Sequence, residues 1–155
     1  MPTKQTKKAS PLRTWVKMLA TTNQMTGELR KVVVEKCGMT LSQFDYLAQL
    51  EREGNRGMTL SEVAGNLMVT GGNVTGLTDR LQQEGLVYRE PDAHDRRSLR
   101  VFMTKEGEKR MATAARIHEA WINDAMGELD SKSMQSLADG VDILRESFKN
   151  YIKEK

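Results

Sequence analysis

Asn73, Thr75, Arg80, Arg96 and Arg97 carry the polar groups of this 155-residue chain best spaced to act on a ligand, and their chemistry is recognition, not bond-making. Arginine offers a planar fork of donors to a phosphate or a guanine edge, asparagine matches the edge of adenine, and threonine touches either. Groups for covalent chemistry are lacking. There is no phosphate-cradling glycine motif and no nucleophile beside a base, so the chain is not expected to be an enzyme or to use a cofactor. His94 and His118 are the only histidines and Cys37 the only cysteine, too few and too far apart for a metal site. A lone thiol suffices for oxidant sensing, so a single-cysteine redox-responsive protein stays as an alternative, although only Lys36 stands beside Cys37 to activate it.

The pattern around the polar residues builds a helix, a turn, a second helix and a hairpin. Thr40-Leu-Ser-Gln43 and Thr59-Leu-Ser-Glu62 read as capping boxes, in which hydroxyl and carbonyl side chains satisfy free amides at a helix start. The first opens a helix to about Arg52 that should bury Leu41, Phe44, Leu47 and Ala48. The second opens a short helix that should bury Leu60, Val63, Ala64 and Leu67. Between them, Gly54-Asn55-Arg56-Gly57 is a turn. Val69-Thr70-Gly71-Gly72 breaks the pattern, with Thr70 as the expected cap of a helix running from Gly72 to about Glu84 and closed by Gly85.

With Val74, Leu77 and Leu81 turned inward, the outer face of that helix carries Gly72, Gly76, Asp79, Arg80 and Gln83, flanked by Asn73 and Thr75. Gly, Asn and Thr cost stability on a solvated helix. Small residues there would let the helix sink into a DNA major groove, with Asn73 on an adenine edge, Thr75 on a base or phosphate, and the free amides on a phosphate. Residues 86–90 and 98–103 have strand composition and are joined by a polar loop over 91–97. Arg96 and Arg97 at its tip suit a narrow, A·T-rich minor groove, and Asp92 and Asp95 would be repelled by phosphates unless they organise the arginines.

Long helices flank this segment. Leu12, Trp15, Leu19, Thr22, Thr26, Leu29 and Val33 share one face of a helix ending at Cys37-Gly38. Thr104 should cap a helix to about Gly127, with Met111, Ala115, His118, Trp121, Ile122 and Ala125 on one side. A last helix from about Ser131 should bury Met134, Leu137, Ala138, Val141, Leu144, Phe148 and Tyr151. Net charge is only +3, but the basic residues cluster: residues 1–27 hold Lys4, Lys7, Lys8, Arg13 and Lys17 and no acid, and Arg100 lies near Arg96 and Arg97. Such clusters are the usual source of sequence-independent affinity for DNA. Mean hydropathy of -0.58 fits a globular chain that does not enter a membrane, and without an apolar leader segment a cytoplasmic location is expected.

Leu41-Ser-Gln-Phe44, Leu60-Ser-Glu-Val-Ala64, Leu77-Thr-Asp-Arg-Leu81, Glu84-Gly-Leu-Val87, Asp95-Arg-Arg-Ser98, Val101 and Thr104-Lys-Glu-Gly107 resemble, in this order, the MarR family of transcriptional regulators. The resemblance covers about residues 40–110. It implies a mainly α (α+β) fold: a winged helix-turn-helix with a two- to three-stranded β-wing and long N- and C-terminal dimerisation helices. The layout is then a flexible basic tail over 1–11, an N-terminal dimerisation helix over 12–38, a DNA-binding domain over 39–105 and C-terminal dimerisation helices over 106–155. A homodimer is expected to bind a pseudo-palindromic double-stranded operator, with repression as the family default. The expected DNA contacts are Thr59, Ser61, Thr70, Gly71, Gly72, Asn73, Thr75, Gly76, Arg80, Arg96 and Arg97, with Asp79 and Asp95 as buttresses of the wing, Asp79 behind Arg97. Many members answer to small anionic or aromatic molecules held between the dimer helices and the DNA-binding lobe. That implies a pocket around Arg13, Trp15, Phe44, Met68, His118 and Trp121, taking an aromatic carboxylate or its coenzyme A thioester. A dimeric adaptor that binds a protein and not DNA is the other alternative.

Overall fold

The computed structural model describes residues 9–67, 73–93, 95 and 97–155. The elements run α1 (Pro11–Cys37), α2 (Leu41–Glu53), a 3-10 turn (Gly54–Arg56), β1 (Met58–Thr59), α3 (Leu60–Asn66), α4 (Val74–Gln83), β2 (Val87–Pro91), β3 (Leu99–Met103), α5 (Lys105–Ala125) and α6 (Ser131–Lys153). The fold is mainly helical with a three-stranded antiparallel sheet in the order β1-β3-β2, the winged-helix arrangement expected from the sequence. The chain divides into two compact units, Met1–His118 and Glu119–Lys155.

Both capping boxes form. Thr40 Oγ1 accepts from the Gln43 amide at 3.2 Å while Gln43 Oε1 accepts from the Thr40 amide at 2.9 Å. Thr59 and Glu62 repeat the exchange at 3.2 and 2.8 Å. Gly38 takes the left-handed conformation that closes α1. The strand β1 supplies the third strand of the two- to three-stranded wing, at a position the sequence does not mark. Two residues long, it is defined by its partner, with Met58 opposite Val101 and Thr59 opposite Arg100.

The core of the first unit lies under α4. Tyr46, Leu47, Val63, Leu81 and Val101 are fully buried, and α2 touches α1, α3, α4 and β3. Burial along the helices departs from the sequence expectation. In α2, Phe44 and Ala48 are half-buried, whereas Tyr46 and Leu50 are buried, because neighbours cover this helix on more than one side. In α3 only Val63 is buried; Leu60 and Leu67 are half-buried and Ala64 is exposed. On α5 Met111 and Ala114 are buried, Ala115 and His118 are half-buried, and Ala125 is exposed.

Two glycines are required by close approach, and at Gly57 a Cβ would lie 2.7 Å from the Val101 carbonyl oxygen. A Cβ at Gly107 would lie 2.1 Å from the Leu86 carbonyl oxygen, so the first turn of α5 sits directly on the start of β2. Thr104 locks the junction: its hydroxyl donates to the Gly85 carbonyl at 2.7 Å, and its amide donates to the Leu86 carbonyl at 3.0 Å.

In the second unit, α6 begins at Asp130, whose carboxylate accepts from the Ser133 amide at 2.7 Å and is held below its usual pKa by that bond. No residue of α6 is buried. The expected burial of Met134, Leu137, Ala138, Val141, Leu144, Phe148 and Tyr151 is therefore not met within a single chain. The apolar stripe exists, and no described residue covers it.

Candidate nucleic-acid interface

The helix α4 is fixed from below by a buried hydroxyl pair. Thr78 Oγ1 donates to the Val74 carbonyl at 2.7 Å, so the Tyr46 hydroxyl, also 2.7 Å from it, must be the donor to Thr78. Burial raises the Tyr46 pKa, which keeps this proton in place. At the other end of α4, Glu84 accepts from Gln43 Nε2 at 2.9 Å and faces Arg110 Nη1 at 3.5 Å, tying the helix to α2 and α5. The helix thus presents a face whose roll is set by its own underside.

That face is exposed at Asn73, Thr75 and Arg80 and half-buried at Gly76. Thr70, Gly71 and Gly72, expected as the preceding turn and cap, lie outside the described residues, as does Met68. The helix starts at Val74, not Gly72, and its N-cap is Asn73, whose Oδ1 accepts from the Thr75 amide at 3.1 Å. Thr70 is therefore not the cap. A bidentate pairing of Asn73 with adenine would need Oδ1 to leave this bond, which lowers what that residue can contribute to base reading. Among the described residues nothing requires glycine at position 76: a Cβ there would meet only the Asn73 side chain, at an ordinary 3.7 Å.

Acids near this surface are neutralised from within. Asp79 bonds Arg89 Nη2 on β2, so its partner is not Arg97 as expected. Asp92 bonds Arg100 Nε. Among the described residues no ion pair holds Arg80 or Arg97, which leaves their charge facing outward. Arg89 and Arg100 were missed as structural groups, and Arg100 was grouped with the free basic cluster. Their partners lie on other elements, so only the register of the folded sheet brings them together.

The wing loop is built by two consecutive Asp-centred turns. Asp92 Oδ1 accepts from the Asp95 amide at 3.1 Å, and Asp95 Oδ1 accepts from the Arg97 amide at 3.0 Å. Backbone bonds from Ser98 to the Asp95 carbonyl at 2.8 Å and from Asp92 to the Ser98 carbonyl at 2.9 Å close the loop. Such side-chain turns hold a short loop without a core. Asp95 steadies the backbone that carries Arg97, which is itself exposed; His94 and Arg96 lie outside the described residues. Thr59 has its hydroxyl and amide engaged in the cap of α3, whereas Ser61 is exposed.

Of the residues expected in a ligand pocket, the structure brings two together. Phe44 and His118 meet edge to face at 4.9 Å, and burial lowers the His118 pKa, favouring the neutral ring. Arg13 and Trp15 are exposed on α1, and Trp121 belongs to the second unit. A cleft of about 670 Å³ lies elsewhere, between the end of α2, the Tyr88–Phe102 stack and the start of α5, and none of the expected ligand residues lines it. Cys37 is half-buried and its pKa is raised by burial, with Arg110 and Lys36 pulling the other way, so this thiol is not activated. Among the described residues no cluster of three potential metal ligands occurs, and no helix is long and apolar enough to cross a membrane.

Comparison with known proteins places this geometry. A sequence model of the MarR family matches residues 38–98. The transcriptional activatory protein BadR of Rhodopseudomonas palustris is 43% identical over 75 residues, which are 48% of this chain and 43% of BadR. The HTH-type transcriptional repressor MdtR of Bacillus subtilis is 36% identical over 48% of this chain and 47% of its own length. The chain thus matches under half the length of either relative. A crystal structure of a MarR family transcriptional regulator from Silicibacter pomeroyi superposes with a TM-score of 0.74 at 26% identity, covering 88% of this chain and 93% of that one.

Proposed function

The chain belongs to the MarR family of winged helix-turn-helix transcriptional regulators, and from that premise we propose that it binds double-stranded DNA as a homodimer at a pseudo-palindromic operator. The observation that carries the reading is the pair of outward cations, Arg80 on α4 and Arg97 on the wing, left uncompensated while Asp79 and Asp92 are paired internally. The α4 face, where no described residue requires glycine at position 76, would approach a major groove closely, and Arg97 would reach the adjacent minor groove. Thr75 and Ser61 would touch the backbone, and the amides at the start of α4 would face a phosphate.

The uncovered stripe on α6 and the exposed Leu12, Trp15, Val16 and Leu19 of α1 support a second copy as the covering surface. A dimer would set two recognition helices one helical turn of DNA apart, and an effector would act by favouring a dimer with the wrong spacing. We take the effector to be an aromatic carboxylate or its coenzyme A thioester. Its pocket would include Phe44 and His118, which already meet, with Arg13 and Trp15 as further candidates. Repression is the default sign, although the relatives named above include both an activatory protein and a repressor.

A mobility-shift assay with the DNA flanking its own gene tests the reading. Wild-type protein should shift such a fragment at low salt, and Arg97→Ala should weaken the shift about tenfold with the dimer intact. An adaptor that binds protein would not register the substitution. Retention of full affinity by Arg97→Ala would refute the DNA-reading role of the wing.

A further inference from the structure

Arg100 makes more cross-element contacts than its place in a short strand suggests. Its Nε bonds the Asp92 carboxylate at the base of the wing loop. Its Nη1 donates to the Arg56 and Gly57 carbonyls, at 3.2 and 3.0 Å, in the turn that follows α2. The same Nη1 lies 3.5 Å from the Glu62 carboxylate, in the first turn of α3. One guanidinium therefore joins the wing, the turn before β1 and the start of the helix-turn-helix. A planar fork with several fixed donors can do this where an ammonium cannot.

The Asp92 end of this clasp continues into the wing. Asp92 holds Arg100 through Oδ2 and the Asp95 amide through Oδ1, and Asp95 in turn holds the Arg97 amide. A chain of three side chains thus runs from the start of α3 to the backbone of Arg97. The Arg100 side chain is mostly covered, and its Nε and Nη1 donors already face acceptors inside the protein. Glu62 is likewise committed, holding the Thr59 amide, a bond that lowers its pKa.

We infer that Arg100 is a positioning residue for DNA binding, fixing the place of Arg97 relative to α3 and α4 through Asp92 and Asp95 without itself touching DNA. The inference rests on the reading of Arg97 as a DNA contact. It distinguishes two arginines that lie three residues apart and carry the same charge, one working on the ligand and the other on its neighbour.

The test is a double-mutant cycle on a duplex that the wild-type protein enriches from a random-sequence pool. Arg97→Ala should weaken binding about tenfold and reduce the salt dependence by about one phosphate-equivalent contact. Arg100→Ala should weaken binding to a similar extent, and R97A/R100A should bind no more weakly than R97A alone. The salt dependence of the double variant should also match that of R97A. Because Arg100→Ala also removes the bonds to the Arg56 and Gly57 carbonyls and so lowers the folding midpoint, Asp92→Asn provides a second route. Asparagine keeps the Oδ1 acceptor for the Asp95 amide and loses the charge that holds Arg100, so its effect should likewise vanish in the R97A background. Multiplying losses, or a salt dependence that falls by a second contact in the double variant, would make Arg100 a direct or independent contributor and overturn the inference. Wild-type affinity in R100A or D92N would overturn it as well. If the wild-type protein enriches no duplex, or R97A binds normally, the DNA reading itself falls, a result distinct from additivity in the cycle.

Discussion

The lobe under α4 and the helix α6 have similar apolar periodicity and opposite fates. In the lobe, Leu47 and Leu81 are fully buried; in α6, Leu137, Val141 and Leu144 are about half exposed or slightly less accessible. Periodicity reports that a helix has an apolar face and where that face lies, but not whether the cover comes from the same chain. Polar detail marks the difference. The lobe has hydroxyl pairs, capping boxes and long-range ion pairs that join elements, whereas among the described residues the side-chain contacts of α6 are local, such as Lys149 with Glu146 and Gln135 with Asp139.

Five substitutions would break or sharpen this contrast. The largest effect is expected from Gly107→Ala, whose Cβ would collide with the Leu86 carbonyl. Backbone cannot give way as a flexible side chain can, so a loss of about 3 kcal/mol is expected in denaturant unfolding. A loss under about 1 kcal/mol would mean that the junction of β2 and α5 is looser than described. Next comes the direct comparison of leucines. Leu47→Ala should cost about 3 kcal/mol of lobe stability, from lost burial and the cavity left behind. Leu144→Ala should change the concentration at which chains associate, seen by sedimentation, while shifting unfolding of the isolated chain by less than about 0.5 kcal/mol. Equal effects of the two on unfolding would erase the distinction.

Tyr46→Phe should cost about 1 kcal/mol, because it removes the donor to Thr78 and leaves a buried hydroxyl oxygen with one bond fewer. The smallest effect concerns acid. Burial lowers the folded-state pKa of His118, so the folded chain binds this proton less readily than the unfolded one. Its contribution is complete above the ordinary imidazole value of 6.5 and is lost as pH falls through the lower folded value. Thermal midpoints measured across that interval should fall less steeply for His118→Phe than for the wild type.

The parts of the fold legible in the sequence are those set by neighbours in the chain. Thr40 with Gln43 and Thr59 with Glu62 announce two helix starts, and Gly38 and Gly85 announce two ends, because caps are built within three or four residues. The hairpin was legible from composition, and its third strand was not, since Met58 and Thr59 become a strand only opposite Val101 and Arg100. The cap of α4 was misplaced at Thr70 because a Thr-Gly-Gly run is a strong turn signal, and Asn73 is an equally competent cap closer to the helix. For the candidate site, Arg97 and Arg80 could be picked out as exposed cations, whereas the partners of Asp79 and Arg100 could not. Those bonds join residues on separate elements, up to 44 positions apart for Arg100 and the Arg56 carbonyl. Charge that will face outward can be seen in a sequence, but charge that will be cancelled inside needs the fold.

The seating of α5 on β2 has a mechanical consequence. A helix of 21 residues is a rod of about 31 Å, and this one is pinned at its first turn, where Gly107 leaves no gap above Leu86. A rod clamped at one end is a lever whose fulcrum lies beside the wing. Over the 14 residues from Lys105 to His118, about 21 Å of rod, a tilt of about 5° at the clamp would move the helix by roughly 2 Å. Run in reverse, a displacement of that size at His118 becomes a small, high-leverage rotation at the base of the hairpin. The missing Cβ of one glycine thus sets the gearing between the long helix and the sheet.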